Sequence, residues 1–352
     1  MQKVIRIGKK NVGDDCPVFI IAEAGVNHNG DVNIAKKLIE AAKESGADAV
    51  KFQTFRAENI VTKTTEKADY QKKMTGSNET QYEMLKKLEL RKTDFMILSK
   101  YAKKRDIMFI STPYDEQSVD LLDKIGVSAF KVASAEIINF VLLKSIAAKE
   151  KPVILSTGMS TLGEIEECLN ILKNEGADRI ILLHCITNYP AKIEDMNLLT
   201  MNTLKQAFKL PTGLSDHTFG YTIPIASVAL GACVIEKHFT LNRNLPGPDH
   251  KASLEPYEFK EMVKAVRDVQ KALGDGVKKP TRDEEKIKRH MRRCIVAQYD
   301  IAKGVIITED MLVTKRAGVG IEPKYIPNII GCKAIKDIRR DEALAWRKIG
   351  RV

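Results

Sequence analysis

No apolar run in this sequence is long enough to cross a bilayer. The longest, residues 222–235, contains a proline and a serine and falls short of the roughly 18–20 residues a spanning helix needs. A membrane role is therefore not expected. At the N-terminus, MQKVIRIGKKNVGDDCPVF carries positive charge with no apolar stretch behind it, unlike a secretory signal, and the expected compartment is the cytoplasm. Cysteines are few and form no CxxC: Cys16, Cys168, Cys185, Cys233, Cys294 and Cys332 read as reduced, mostly buried thiols without a catalytic part. A Gly-x-Gly-x-x-Gly after the first β-rich run is missing, as is any Walker-type phosphate loop, which weakens a doubly wound nucleotide-binding sheet. Aromatic residues make up only 6% of the chain, and none interrupts its densest cationic stretch, KKPTRDEEKIKRHMRR from Lys278. Acids interleaved there describe a solvated face, so the net charge of +11 is not read as a nucleic-acid groove.

What is present is alternation. β-rich runs ending in polar residues occur at 18–25, 49–55, 107–113, 129–136, 152–159, 180–187, 212–217 and 233–240. Amphipathic stretches such as DVNIAKKLIEAAKESG, QYEMLKKLELRKTDFMILSKYAKK, TLGEIEECLNILKNEG and EPYEFKEMVKAVRDVQKALG separate them. Thr161 with Glu164 reads as a capping box, and Gly46 and Gly176 stand where helices should stop. Eight strand–helix units in about 250 residues make an α/β (β/α)₈ TIM barrel the expected fold. Past Gly274 a charged connector leads to short apolar runs (CIVAQYDI, GVIITEDMLVTKRAG, IIGCKAIKDI, ALAWRKIG), as in a small, mostly β module. The expected organisation is a barrel over 1–275, a linker over 276–290 and the module over 291–352.

In such a barrel, reactive side chains collect at the carboxyl ends of the strands, and residues two apart share a face. These ends carry Glu23, Lys51, Gln53, Ser111, Thr112, Lys131, Ser134, Glu136, Ser156, Thr157, His184, Thr187, Ser215, His217, Glu236 and His238. His217 and His238, on neighbouring strands, could share one ion. Two imidazoles leave positions open for water and substrate, which suits Mn²⁺ or Mg²⁺ more than closed tetrahedral zinc; the alternative is a pair of hydrogen-bonded core histidines. Lys51 and Lys131, among Thr112, Ser134 and Ser156, could hold a phosphate or carboxylate, or simply reach solvent while the hydroxyls cap helices. Glu23 could act on a proton or water, or pair with a lysine. Asp249 could accept from sugar hydroxyls. His28 in NHNG and His250 after GPD read as turn and loop residues, and His184 as a core histidine. A Schiff-base aldolase would draw on Lys51, Lys131 or Lys237.

Taken together and in order, IAEAGVNHNGD, AVKFQTF, FISTPYD, FKVASAE, ILSTGMS, LSDHTFG, IEKHFTL and GPDHKAS resemble the sialic acid synthase family over nearly the whole chain. The stretch from CIVAQYDIAKG to TKRAGVGI is similar to that family's antifreeze-like SAF domain. The resemblance implies a transferase that condenses phosphoenolpyruvate with an N-acyl amino sugar. It implies a divalent metal on His217 and His238, Mn²⁺ first and Mg²⁺ or Co²⁺ as substitutes. Phosphoenolpyruvate would lie on Lys51, Thr112, Lys131, Ser134, Ser156 and Ser215, the sugar on Gln53, Glu136, Tyr189 and Asp249, with Glu23 as the acid–base group. A domain-swapped homodimer is implied too, in which Arg316 reaches the partner's site. The family often reads Cys-Thr-Asn or Cys-Thr-Ser, a variable residue, then Tyr-Pro near strand six. Here Cys185-Ile186-Thr187-Asn188-Tyr189-Pro190 puts Thr187 at the phosphate-contacting position. The expected product is N-acetylneuraminate from N-acetylmannosamine, phosphoenolpyruvate and water, and the alternative is a legionaminate synthase acting on a 2,4-diacetamido-6-deoxy sugar. A Schiff-base aldolase and a non-catalytic sugar-binding protein are the readings from other classes.

Overall fold

The computed structural model describes residues 4–76 and 78–351. They fall into two compact units, 1–274 and 275–352. The first opens with an antiparallel hairpin, β1 (Ile5–Ile7) and β2 (Lys10–Val12). Eight strands follow: β3 (Phe19–Gly25), β4 (Ala49–Thr54), β5 (Met108–Pro113), β6 (Phe130–Val132), β7 (Val153–Ser156), β8 (Ile180–Cys185), β9 (Thr212–Asp216) and β10 (Val234–His238). They form one parallel sheet in the order β5-β4-β3-β10-β9-β8-β7-β6. Among the described residues no ladder joins β5 to β6, which lie side by side at the seam of an otherwise closed TIM barrel.

Nearly every strand residue is buried because the wall has packing on both sides, which is why the strands read as continuous apolar runs. The two-residue alternation sorts them. Ile20, Ala22, Val50, Phe52, Val153, Leu155 and Leu182 point outward into the core shared with the helices. Phe19, Ile21, Ala49, Ile110, Ala129, Ile154, Ile181, Leu183 and Val234 fill the barrel itself. Continuing that inward register toward the carboxyl ends gives Glu23, Lys51, Gln53, Thr112, Lys131, Ser156, Cys185, Ser215, Glu236 and His238. The barrel is thus apolar below and polar above.

The hairpin was not foreseen, and it explains how the apolar end is closed. Ile5, Ile7 and Val12 are buried with the barrel's interior residues. Burying such side chains contributes about 1.5–3 kcal/mol each, so the hairpin acts as a stopper that anchors the end remote from the polar ring.

The helices follow their punctuation. Val32–Glu44 is capped by Asp31, whose carboxylate accepts from Asn33 N at 2.7 Å, and it stops before Gly46 at φ +86°. Leu162–Asn174 starts with the Thr161–Glu164 capping box. The stretch read as one amphipathic unit at 81–104 is instead two helices, Gln81–Leu88 and Lys92–Lys104. A second N-terminus wins at the break: Asp94 accepts from Arg91 N (3.0 Å), and Glu89 is drawn off to Ala57 N (2.6 Å) and Arg56 (3.2 Å).

The second unit has its own core of Ile295, Ala297, Ile301, Ile307, Ile321, Ile329, Ala334, Ile338 and Leu344. Around it run short antiparallel pairs, β11 (Cys294–Ala297) with β12 (Leu312–Lys315) and β13 (Lys333–Ala334) with β14 (Ile349–Gly350), plus isolated bridges. The span read as a linker contains a helix, Arg282–Met291, which overruns its expected end. Its Thr281–Glu284 capping box, acidic first turn and basic last turn all favour a helix in a segment with no apolar face to bury. No described helix is long and apolar enough to cross a membrane, and all six cysteines are free.

Candidate active site

Glu236 stands at the centre of the polar ring. Its Oε1 accepts from Ser215 Oγ at 2.9 Å on the adjacent strand and lies 3.9 Å from Lys131 Nζ, while Oε2 lies 4.0 Å from Lys51 Nζ. Each lysine also rests on a hydroxyl: Lys51 donates to Thr112 Oγ1 (3.0 Å) and Lys131 to Ser156 Oγ (2.6 Å). Lys51 further lies 2.7 Å from Glu23 Oε2, off the hydrogen-bond direction, and Gln53 Nε2 donates to Glu23 Oε1 at 3.3 Å. Two buried ammonium groups, held apart by one carboxylate and each steadied by a hydroxyl, form a cradle for an oxyanion.

The ionisation of these groups follows from burial and neighbours. Burial raises Glu23 to about 7 against the pull of Lys51, and the nearby charge of Glu236 adds to the rise. Glu236 is lowered: its own burial acts upward, but Lys131, Lys51 and the Ser215 hydrogen bond outweigh it. Burial lowers Lys131, opposed chiefly by Glu236. Burial alone likewise lifts Asp249 to about 6, with Lys51 opposing.

Beside the cradle, the rings of His217 and His238 lie 5.3 Å apart, centre to centre. His217 Nδ1–H donates to the Ile186 carbonyl at 2.7 Å, which leaves its Nε2 lone pair free. Burial lowers His217 to about 4 and His238 well below its ordinary value, so both are neutral imidazoles, the form that binds metals. His238 Nδ1 is buried without any partner. Two neutral, under-used imidazoles fit a divalent cation that keeps open positions. Among the described residues no set of three or more His, Cys, Asp or Glu could hold an ion, so its remaining ligands would be water and substrate.

The other expected residues converge unequally. Ser134 accepts from Gly158 N (2.9 Å) and meets Cys185 Sγ at 3.1 Å, and Thr187 Oγ1 lies 4.0 Å from the same sulfur. Only glycine fits at 158, because a Cβ there would stand 2.3 Å from Thr187 Oγ1 and 2.7 Å from Cys185 Sγ. Tyr189 lies over His217 at 4.2 Å with a 35° tilt and meets His238 edge-on at 5.6 Å. Glu136 is fixed by Asn139 Nδ2 at 2.7 Å. Arg316 is exposed just past β12, in the second unit.

Residues 38–278 match the NeuB family, and residues 292–349 match the SAF domain. The chain belongs to the NeuB family. It is 53% identical to the N,N'-diacetyllegionaminic acid synthase of Campylobacter jejuni over 328 residues, 93% of this chain and 98% of that one. The protein of the same name from Legionella pneumophila is 48% identical over 346 residues, 97% of each chain. The crystal structure of the N-acetylneuraminic acid synthetase of Leptospira borgpetersenii superposes with a TM-score of 0.72 at 37% identity, covering 81% of this chain and 95% of that one. As a NeuB member this chain is a condensing synthase of the sialic acid type.

In this NeuB barrel three side chains have parts the sequence reading did not give them. Glu236 counts among the polar strand ends and shares an inward face with His238 two residues on, but nothing in the sequence assigns it a task of its own. Tyr70, in the helix Asp69–Thr75 of the excursion after β4, and Tyr114, directly after β5, are half-buried, and no periodicity marks either. Both hydroxyls have raised pKa values, from burial first and then from nearby carboxylates, among them Asp249. Lys237 is removed from the candidate amines. It faces outward between Glu236 and His238, fully buried, with Asp216 Oδ2 at 2.5 Å. His184 also faces outward and binds the Met196 carbonyl (2.6 Å), whereas His250 ties Thr240 (2.7 Å) to Asn29 (3.2 Å) as a loop fastener. His28, read as a turn residue, is buried and accepts from Gly30 N at 3.0 Å.

Proposed function

We propose that this chain is an N,N'-diacetyllegionaminic acid synthase. It condenses phosphoenolpyruvate with the open-chain form of a 2,4-diacetamido-6-deoxy sugar, consumes water and releases phosphate by C–O cleavage. The N-acetylneuraminate product expected first from sequence gives way to the alternative, because relatives at 53% and 48% identity along almost the whole chain carry the legionaminic name. For the chemistry, the observation that carries the reading is the pair of buried lysines flanking Glu236, each on a hydroxyl.

Lys51 with Thr112, and Lys131 with Ser156, Ser134, Thr187 and Ser215, would hold the phosphate and carboxylate of phosphoenolpyruvate. That fixes its methylene carbon toward the sugar aldehyde, so alignment supplies much of the rate. A divalent cation, Mn²⁺ or in its place Mg²⁺ or Co²⁺, held by His217 and His238, would polarise the aldehyde oxygen. Once the methylene carbon has bonded to the aldehyde carbon, positive charge develops at C2 of the former phosphoenolpyruvate. Glu23, with a pKa near neutrality, accepts a proton from the water that adds there. The new C2 hydroxyl gives up its proton as phosphate leaves with the C–O electron pair, forming the ketone, and the former aldehyde oxygen takes up a proton to become a hydroxyl. Gln53, Glu136, Tyr189 and Asp249 would seat the sugar. Arg316, by the family resemblance, would serve the site of a partner chain in a domain-swapped homodimer.

Purified protein with Mn²⁺, phosphoenolpyruvate and either the 2,4-diacetamido-6-deoxy sugar or N-acetylmannosamine tests the reading through phosphate release. The expected result is a kcat/KM at least tenfold higher with the diacetamido sugar. Preference for N-acetylmannosamine would overturn the sugar, and no turnover with either would overturn the reaction.

A further inference from the structure

An aromatic column leads away from the two histidines, and its outermost ring has no part in the reading above. Tyr189 stacks on His217 at 4.2 Å with a 35° tilt, and Tyr70 stacks on Tyr189 at 5.2 Å with a 31° tilt. Tyr70 belongs to the helix Asp69–Thr75, in the long excursion after β4. Its hydroxyl accepts from Gln71 Nε2 at 3.3 Å and lies within electrostatic reach of Asp249.

The excursion holds Tyr70 in place. The Lys67 side chain is fully buried and bonded to Thr75 Oγ1 (2.9 Å) and Glu79 (3.3 Å). Gln71 accepts from Ala68 N (3.0 Å) and from Gln81 Nε2 (3.3 Å). Ordering so many polar groups behind one half-buried ring is explained if that ring is a wall of the pocket.

We infer that Tyr70 is a specificity-determining residue for the far end of the sugar. This rests on the function proposed above. With the reacting aldehyde beside His217 and His238, a sugar laid along the column Tyr189–Tyr70 brings its far carbons to Tyr70. There the ring face offers apolar contact to a C6 methyl, and the hydroxyl can donate to the carbonyl of a 4-acetamido group while still accepting from Gln71. N-acetylmannosamine presents hydroxyls at both positions: the 6-hydroxyl puts a polar group where the methyl would rest on the ring, and the 4-hydroxyl, though an acceptor, is shorter than the acetamido carbonyl that the Tyr70 hydroxyl would meet.

Tyr70→Phe and Tyr70→Ala test this, with both sugars assayed beside the wild type. Tyr70→Phe keeps the wall and removes one hydrogen bond, which is worth roughly tenfold. The expected result is a KM for the diacetamido sugar raised about tenfold, with kcat/KM for N-acetylmannosamine and the KM for phosphoenolpyruvate unchanged. Tyr70→Ala should narrow the ratio between the sugars further, and circular dichroism melting shows whether each variant is folded. If wild type prefers the diacetamido sugar but both variants keep the same ratio, or lose both sugars in proportion, Tyr70 is only structural and the inference falls alone. If wild type does not use the diacetamido sugar, the inference falls together with the proposed function.

Discussion

Glu23 and Lys51 are register partners on adjacent strands, and their charged atoms lie 2.7 Å apart in a fully enclosed setting. The lysine does not give the carboxyl an ordinary acidity, because burial is the larger effect and Glu236 adds to it.

A pH dependence follows from that balance. The form of Glu23 that can accept a proton from water is the carboxylate, which fills as pH rises through about 7. With saturating sugar and metal, kcat/KM for phosphoenolpyruvate should therefore climb from pH 5.5 through its half-height near 7 and level off only about a unit above it. Glu23→Gln should lower it about 10²–10⁴-fold, as loss of a general base does, and flatten the limb. A limb that persists in the variant would assign it to another group.

His217→Ala and His238→Ala should each abolish Mn²⁺-dependent phosphate release while leaving the far-ultraviolet spectrum and melting profile close to wild type. Metal content after loading and desalting gives a second readout, with a fall from about one ion per chain to near zero. Retained metal and turnover in both variants would remove the histidines from the site.

Glu236→Gln should destabilise the protein, because it takes the nearest carboxylate from Lys131 and leaves a buried cation uncompensated. Breaking such a pair costs about 3–5 kcal/mol. Inorganic phosphate should restore part of the loss, raising Tm more in the variant than in wild type, since the anion would replace the missing carboxylate between the lysines. Equal phosphate shifts in the two proteins would mean that the cradle does not bind the anion.

Arg316→Ala should weaken sugar use far more than stability. Mixing it with His217→Ala after co-refolding should recover a fraction of wild-type turnover if one chain's Arg316 serves the other's barrel. No recovery, with dimers present by light scattering, would place Arg316 and the histidines on independent duties.

Much of this site was legible because a barrel converts sequence parity into direction. Residues 51 and 53, or 236 and 238, share a face by spacing alone, and six of the eight strands end within two residues of the expected runs. β7 stops three residues early at Ser156, and β6 four early at Val132, since Ser134–Glu136 turns into a 3₁₀ helix. Three-residue strands such as Ile5–Ile7 give too short a pattern to stand out, so the stopper at the apolar end went unseen. The break at Glu89 was hidden because its cause is a contact with Ala57 and Arg56, more than thirty residues away. Tyr70 was invisible for a similar reason: what gives it meaning is Tyr189, which only the folded chain brings near.

The pairing of β3 with β10 sets Glu23 directly beside His238 as register neighbours, joining the first and last staves of the cylinder. During translation the proton acceptor therefore leaves the ribosome more than two hundred residues before the imidazole it must stand next to. Until residue 238 emerges, the edges of β3 and β9 that β10 will cover lie open in addition to the β5–β6 seam, each able to pair with a neighbouring nascent chain. Synthesis of this enzyme thus carries its greatest exposure to aggregation late, and a nonsense codon anywhere before β10 yields an unclosed ring rather than a weakened catalyst.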